Sequence, residues 1–272
     1  MQESAKTQPI GIIGGTGLYR LLDDVTEAEI DTPYGAPSGP LATVSLATEA
    51  GERVVVFLAR HGAGHTIPPH RINYRANLWA LREAGVTRVL GPAAVGSLRP
   101  DRHPGELVVC DQFVDTTSGR AGTYFDGPVT NHVSLADPYC PQLGEALAAA
   151  AGQLGVAVHR GGTVVVIDGP RFATRAESAT YRHLGYDLIN MTQAPEVALA
   201  RELGMCYANV ALVTDYDSGV DDRPDIGAVT QHDVFAVFDE HMPRLREVLL
   251  RTVTTVAARA CDCAAATNGV LP

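Results

Sequence analysis

Short apolar runs alternate along the chain with stretches of helical period, which is the pattern of an α/β fold. Runs rich in Val, Ile and Leu predict strands over Pro9–Ile13, Arg53–Ala59, Thr87–Gly91, Glu106–Asp115, Thr163–Ile167, Asp187–Met191 and Tyr207–Thr214. Several are apolar on both faces, as strands are when helices cover a sheet from each side. Helices are predicted over Ile72–Glu83, Pro141–Gln153, Arg175–Leu184, Pro195–Leu203 and from Gln231 to about Ala258. In the last, Val234, Phe235, Phe238, Met242, Leu245, Val248 and Leu249 return every three or four positions, an amphipathic stripe. No repeat or low-complexity linker interrupts the pattern, so one domain over residues 1–272 is expected, with 1–8 a flexible start. The acidic, turn-rich Asp217–Gly227 is the expected mobile loop.

Composition narrows the classes. With 46% hydrophobic and 19% charged residues the chain reads as an ordinary globular protein. A formal charge of −10 argues against a nucleic-acid partner, because a phosphate backbone wants a basic face. An acidic protein that binds a small anion must therefore gather its few cations in one pocket. MQESAKTQPI lacks the apolar core of a secretory leader, and no run reaches the roughly 18 apolar residues of a spanning helix. A cytoplasmic location away from membranes is the expectation. The five cysteines (Cys110, Cys140, Cys206, Cys261 and Cys263) are an odd number without zinc-site spacing. Cys261-Asp262-Cys263 could form a redox pair or part of a metal site, but two thiols in a reducing compartment is the simpler reading.

Five segments carry candidate chemistry. Ile12-Ile13-Gly14-Gly15-Thr16-Gly17-Leu18 follows a predicted strand, where adjacent glycines and a hydroxyl can form an anion nest or simply a tight turn. Ala59-Arg60-His61-Gly62-Ala63-Gly64-His65-Thr66 places a guanidinium at a strand end beside glycines, a suitable oxyanion clamp with bidentate reach. His61, His65 and His70 lack a neighbouring carboxylate or cysteine, so no metal is expected there and His61 reads as a hydrogen-bond donor to phosphate. Asp168 to Ser178 runs from a strand end into a helix. Within it Phe172 can stack on a purine or fill the core, and Glu177 can serve as a first-turn residue. Ile189-Asn190-Met191-Thr192-Gln193-Ala194-Pro195-Glu196 and Val213-Thr214-Asp215-Tyr216-Asp217-Ser218-Gly219 are polar strand ends, where open α/β sheets bind ligands. Asp215 and Asp217 are two apart and can share one side of a strand, and paired half-buried acids have separated pKa values.

Taken together, IIGGTGLY, RHGAGHTIPPHRINYRANLWAL, AVGSL, GPRFATRAES, NMTQAPE and TDYD, in this order, resemble the methylthioadenosine phosphorylase branch of the trimeric purine nucleoside phosphorylase superfamily. The likeness runs nearly end to end. It implies a single-domain nucleoside phosphorylase fold with a mixed, partly barrel-like central sheet flanked by helices. The resemblance also implies phosphorolysis of S-methyl-5′-thioadenosine to adenine and 5-(methylthio)ribose 1-phosphate, with inorganic phosphate as co-substrate and no cofactor or metal. Thr16, Arg60, His61, Ala94 and Thr192 would hold phosphate, and Met191 would lie under the ribose. Phe172 would flank the base, while Asp215 and Asp217 would act on its N7 and 6-amino edge. The 5′ substituent would meet His65, Gln231 and Val234. His132 and Val270, with Leu271, would come from a neighbouring subunit, so the 261–272 tail implies a homotrimer.

Residue types agree with that chemistry, since cleavage builds positive charge on the sugar and negative charge on the purine. Phosphate offsets the first and a protonated Asp215 the second. The family's 6-oxopurine enzymes carry asparagine at that position, so Asp215 argues for adenine. Three departures stand out: Ala93 for a phosphate-binding threonine, which Ser97 or backbone would have to replace; Ala173 for a serine beside the base; and Gln231 where an apolar residue faces a methylthio group. Gln231, or the adjacent His232, can hydrogen-bond a 5′-hydroxyl. Adenosine, deoxyadenosine or a 5′-halo-5′-deoxyadenosine is thus the alternative substrate, ahead of a 6-oxopurine nucleoside.

Overall fold

A proline at its first turn and a run of Leu and Ala on its inner face set helix α2 at Pro141–Gln153, with the ends that the sequence predicts. The computed structural model describes residues 8–15, 25–49, 51–219 and 227–272. Thr16 and most of the expected mobile loop lie outside these residues, as do positions 1–7. The strands are β1 (Ile10–Gly14), β2 (Thr26–Ala28), β3 (Leu41–Thr48), β4 (Gly51–Ala59), β5 (Arg88–Ser97), β6 (Leu107–Val109), β7 (Gln112–Asp115), β8 (Val158–Arg160), β9 (Thr163–Val166), β10 (Leu188–Asn190) and β11 (Cys206–Asp215). The other helices are α1 (Tyr74–Glu83), α3 (Arg175–His183), α4 (Gln193–Glu202) and α5 (Gln231–Thr255). Capping boxes start α3 (Thr174 with Glu177) and α5 (Thr230 with Asp233), so Glu177 is the first-turn residue expected of it.

Among the described residues all eleven strands join one mixed sheet flanked by helices. Leu143, Leu147, Leu245, Val248 and Leu249 from α2 and α5 fill one side, and Leu78, Leu81, Val197 and Leu199 from α1 and α4 fill the other. The sheet forks at β5. One edge of β5 pairs with β1 through Arg88–Leu90 and then with β10 at Gly96–Ser97. The other edge pairs with β11. Beyond the fork, one arm runs β11-β6-β8 and the other β10-β9-β7. The chain passes from β6 into β7 and from β8 into β9, tying the arms together again.

Two predicted boundaries change for reasons visible in this topology. Gly91-Pro92 reads as a strand terminator, because proline cannot donate to a ladder. The strand nevertheless continues to Ser97, since the edge facing β1 has ended at Leu90 and pairing with β10 begins only at Gly96. The predicted strand Glu106–Asp115 is two strands, parted at Cys110-Asp111 where the chain crosses between the arms. Gly91 is needed here for contact: a Cβ would lie 1.8 Å from the Tyr207 hydroxyl.

Candidate active site

The gap in the β5 edge opens into a cavity of about 610 Å³, and Pro92 to Gly96 line it. Around it stand the carboxyl ends of β1 (Gly15), β4 (Arg60, His61), β9 (Ile167), β10 (Asn190 to Thr192) and β11 (Thr214, Asp215). A crevice where strands diverge beyond their carboxyl ends is where open α/β sheets bind small molecules.

One wall carries Arg60, 2% exposed. Its Nε and Nη2 donate to the two oxygens of Glu196, each at 2.7 Å, its Nη2 also to the Ile13 carbonyl at 2.9 Å, and its Nη1 to that of Pro92 at 3.1 Å. A guanidinium has five N–H bonds. Among the described residues these four contacts leave a single N–H, on Nη1, without a partner. The expected bidentate grip on an anion is therefore corrected: the fork is closed on Glu196. Burial opposes the Arg60 charge, but the Glu196 carboxylate outweighs it and holds the proton more firmly than usual. Glu196 also accepts from the Tyr207 hydroxyl at 2.6 Å. Tyr207 in turn accepts from Gln193 Nε2, whose Oε1 accepts from the Tyr139 hydroxyl.

His61 stands beside Arg60. Its Nδ1 lies 2.8 Å from the Ile67 carbonyl, which can only accept, so the proton sits on Nδ1. Burial, then the Arg60 charge, lowers its pKa to about 4. A neutral ring in this tautomer presents Nε2 as a bare lone pair. The expected donor to phosphate is thus an acceptor, suited to the hydroxyl of a monohydrogen phosphate. His65 stacks on His61 with ring centres 4.2 Å apart, and burial lowers its pKa too.

The same cavity is lined by two acids, Asp215 and Asp217. Asp215 accepts from the Thr214 hydroxyl and from the Asp217 backbone N–H, both at 2.7 Å. Burial is the main cause that raises its pKa to about 6, with the Asp217 charge adding to it against those two hydrogen bonds. Burial raises Asp217 as well. The two acids do not meet by strand alternation. Asp215 ends β11 at a bulge, and Asp217 lies beyond it in a turn with φ +52°. Gly96 makes room, since a Cβ there would lie 2.9 Å from Asp215 Oδ1 and 3.2 Å from Asp217 Cβ. Gly96→Ala is expected to lower turnover at least 10-fold by displacing both carboxylates, measured as kcat/KM beside an unchanged circular dichroism spectrum. Asp217 Oδ2 and Asn190 Nδ2 are buried without a hydrogen-bond partner among the described residues. Both residues line the cavity, and such orphaned polar atoms call for a ligand.

Residues 9–258 match the family model described as the Phosphorylase superfamily. The chain belongs to the phosphorylase superfamily. The purine nucleoside phosphorylase of Streptomyces coelicolor is 52% identical to it over 275 residues, covering 97% of this chain and 95% of that one. The S-methyl-5′-thioadenosine phosphorylase of Thermofilum pendens is 47% identical over 96% of this chain and 98% of its own. A variant of the adenosine/methylthioadenosine phosphorylase of Schistosoma mansoni, solved with methylthioadenosine, superposes with TM-score 0.87 at 36% identity over 96% of each chain.

In this phosphorylase the cavity gathers Arg60, His61, His65, Ala94, Phe172, Met191, Thr192, Asp215, Asp217, Gln231 and Val234, all singled out from sequence. Phe172 is a wall residue, 36% exposed, and not core. Phe235 and Phe238 join them on the cavity side of α5, so the front of that amphipathic stripe faces the site. Ser97, offered as a substitute for the missing threonine, bonds instead to the carbonyl and N–H of Arg99 and does not line the cavity. His232 is exposed and also outside the lining, and Ala173 packs in a small core. His132 and Val270 lie away from their own chain's cavity, where Asn131 Nδ2 bonds to the Thr267 and Val270 carbonyls and joins the two segments.

Two supporting residues had no sequence signal of their own. Glu196, quoted within a motif, has no role readable from chain order, because Arg60 is 136 positions away. Arg120 reaches across a long loop to the carbonyls of Met191, Ala194, Ile167 and Asp168, setting two walls of the site.

Proposed function

We propose that this phosphorylase cleaves S-methyl-5′-thioadenosine with inorganic phosphate, releasing adenine and 5-(methylthio)ribose 1-phosphate. The carrying observation is one cavity lined by a cation, a neutral hydroxyl donor and an acid of raised pKa: Arg60, Thr192 and Asp215. Phosphate rests against the free N–H of Arg60, with Thr192 and, outside the described residues, Thr16 as further donors. Its hydroxyl points to His61 Nε2. A phosphate oxygen bonds to C1′ as the C1′–N9 bond breaks, and the electron pair passes into the purine. Asp215 gives a proton to N7, while Asp217 accepts from the 6-amino group. Phe172 and Met191 flank base and ribose, and the 5′ group reaches His65, Gln231 and Val234. The names of the relatives from Thermofilum pendens and Schistosoma mansoni support this substrate.

Adenosine is the second reading, favoured by Gln231 on the cavity wall and by the purine nucleoside phosphorylase of Streptomyces coelicolor. Values of kcat/KM for methylthioadenosine, adenosine and inosine at saturating phosphate decide between them. Methylthioadenosine is expected to lead. Adenosine in front would move the assignment to the 5′-hydroxyl, and inosine in front would overturn the base. Adenine release that persists without phosphate would make the enzyme a hydrolase.

Gln231→Leu is expected to favour methylthioadenosine over adenosine by roughly 10-fold, the scale of one lost hydrogen bond, read as the ratio of the two kcat/KM values. The pH profile has a defined sign. Asp215 is raised from 3.8 to about 6, so its proton is present below that pH and lost above it. On the free enzyme, kcat/KM should therefore fall as pH rises through about 6, and Asp215→Asn should lack that limb.

The exposed tails bearing Val270 and Leu271, and the segment around His132, support a homotrimer in which each subunit completes its neighbour's 5′ pocket. Sedimentation at assay concentration tests the trimer. Loss of activity on deleting 269–272, with the fold intact, tests the shared pocket. No described helix is long and apolar enough to cross a membrane; a cytoplasmic enzyme is the accompanying reading.

A further inference from the structure

Four of the five cysteines meet in space. Cys140 caps α2, Cys206 opens β11, and Cys261 and Cys263 follow α5. Their sulfurs all lie within 4.8 Å of one another, with Cys140–Cys261 at 3.6 Å and Cys206–Cys261 at 3.2 Å. The sequence reading of Cys261 and Cys263 as two tail thiols is thereby corrected. No local spacing could reveal the cluster, because Cys140 and Cys206 come from distant elements.

The surrounding backbone is fixed before any ion is considered. The Cys140 N–H donates to the Tyr207 carbonyl at 2.7 Å and that of Cys206 to Thr87 at 2.9 Å. The chain after α5 is pinned on both sides. Arg53 and Arg88 donate to the carbonyls of Val256 and Ala257, Gln142 binds the Ala258 carbonyl and the Ala260 N–H, and Arg259 donates to the Gly204 carbonyl.

We propose that Cys140, Cys206, Cys261 and Cys263 form a closed tetrathiolate site for a thiophilic divalent cation of the zinc class. Four thiolates at about 2.3 Å from a central ion stand roughly 3.8 Å apart, close to the spacing seen. An all-sulfur set suits a soft ion and offers nothing to magnesium or calcium, which take oxygen. With four protein ligands there is no open position for substrate, so the role is structural. Each thiol that binds releases its proton to solvent, and no oxidation is involved. The complex carries a net negative charge. Arg201 answers it: it lines the adjoining cavity with Cys140, Cys261 and Cys263, and its buried Nε has no hydrogen-bond partner among the described residues. The ion would clasp the start of α2, the start of β11 and the segment that leads into the C-terminal tail.

The test uses the full-length protein, purified under a phosphine reductant, incubated with zinc and desalted. About one zinc per chain is expected, with a Tm at least about 5 °C above that of the chelated protein. Cobalt in place of zinc should give the thiolate-to-cobalt charge-transfer band of a tetrahedral site. Cys261→Ser, at the half-exposed position and so the least disruptive, should lose most of the metal and the band, whereas Cys110→Ser, outside the cluster, should keep both. Less than about one-half zinc per chain in the reduced wild type overturns the proposal. So does full metal retention in Cys261→Ser, or four thiols that stay freely reactive toward a thiol reagent in excess zinc. None of these readouts depends on which nucleoside the enzyme cleaves.

Discussion

Replacing Asp215 with Asn is expected to lower kcat/KM for methylthioadenosine by roughly 10²–10³-fold, because the side chain can still donate a hydrogen bond but can no longer deliver a proton. Burial lifts the Asp215 pKa to about 6, and Asp217, itself raised by burial, adds a second charge that keeps the proton in place. Inosine cleavage should rise from its low base at the same time, since an amide can accept or donate toward a 6-oxopurine. Steady-state kinetics with both nucleosides reads the two changes together. An undiminished rate with methylthioadenosine would take Asp215 out of the chemistry.

Glu196→Ala is expected to cost about 3–5 kcal/mol of stability, the scale of a buried ion pair that loses one partner. Arg60 would keep its charge with no counter-ion, and the Tyr207 hydroxyl would lose its acceptor. For a chain of this size the loss corresponds to a fall in Tm of roughly 6–20 °C. Replacing both members with apolar residues of similar volume should restore much of the Tm while leaving the enzyme without phosphorolysis. Thermal unfolding of the single and double variants separates the two outcomes. Equal Tm values for wild type and Glu196→Ala would refute the dependence on this pair.

Periodicity located the elements well where local chemistry punctuates them. The proline before Gln142 and the capping residues Thr174 and Thr230 mark helix starts that hold to within a residue. Strands β2, β3 and β8 have no counterpart in the periodicity reading: β2 and β8 are three mixed positions each at ends of the sheet, and β3, paired on both sides, mixes Ala, Thr and Ser with only three larger apolar residues. The cavity residues were legible because motifs sit at strand ends, where the sheet aims them at one place. Their protonation and hydrogen-bond economy were not. That Arg60 has spent its fork on Glu196, and that His61 keeps its proton on the far nitrogen, are facts of tertiary contact. The same holds for the thiol cluster and for the reach of Arg120.

The His61 lone pair bears on which oxyanions the enzyme accepts. Near neutral pH a ring with pKa about 4 stays uncharged. Arsenate, which retains an acidic hydrogen there as phosphate does, should substitute for it and give an unstable sugar ester that hydrolyses. Sulfate has the same shape but no hydrogen to offer, and would set oxygen electrons against nitrogen electrons. A pocket that holds phosphate in the proposed way would tell look-alike tetrahedral ions apart by their protonation and not by their charge.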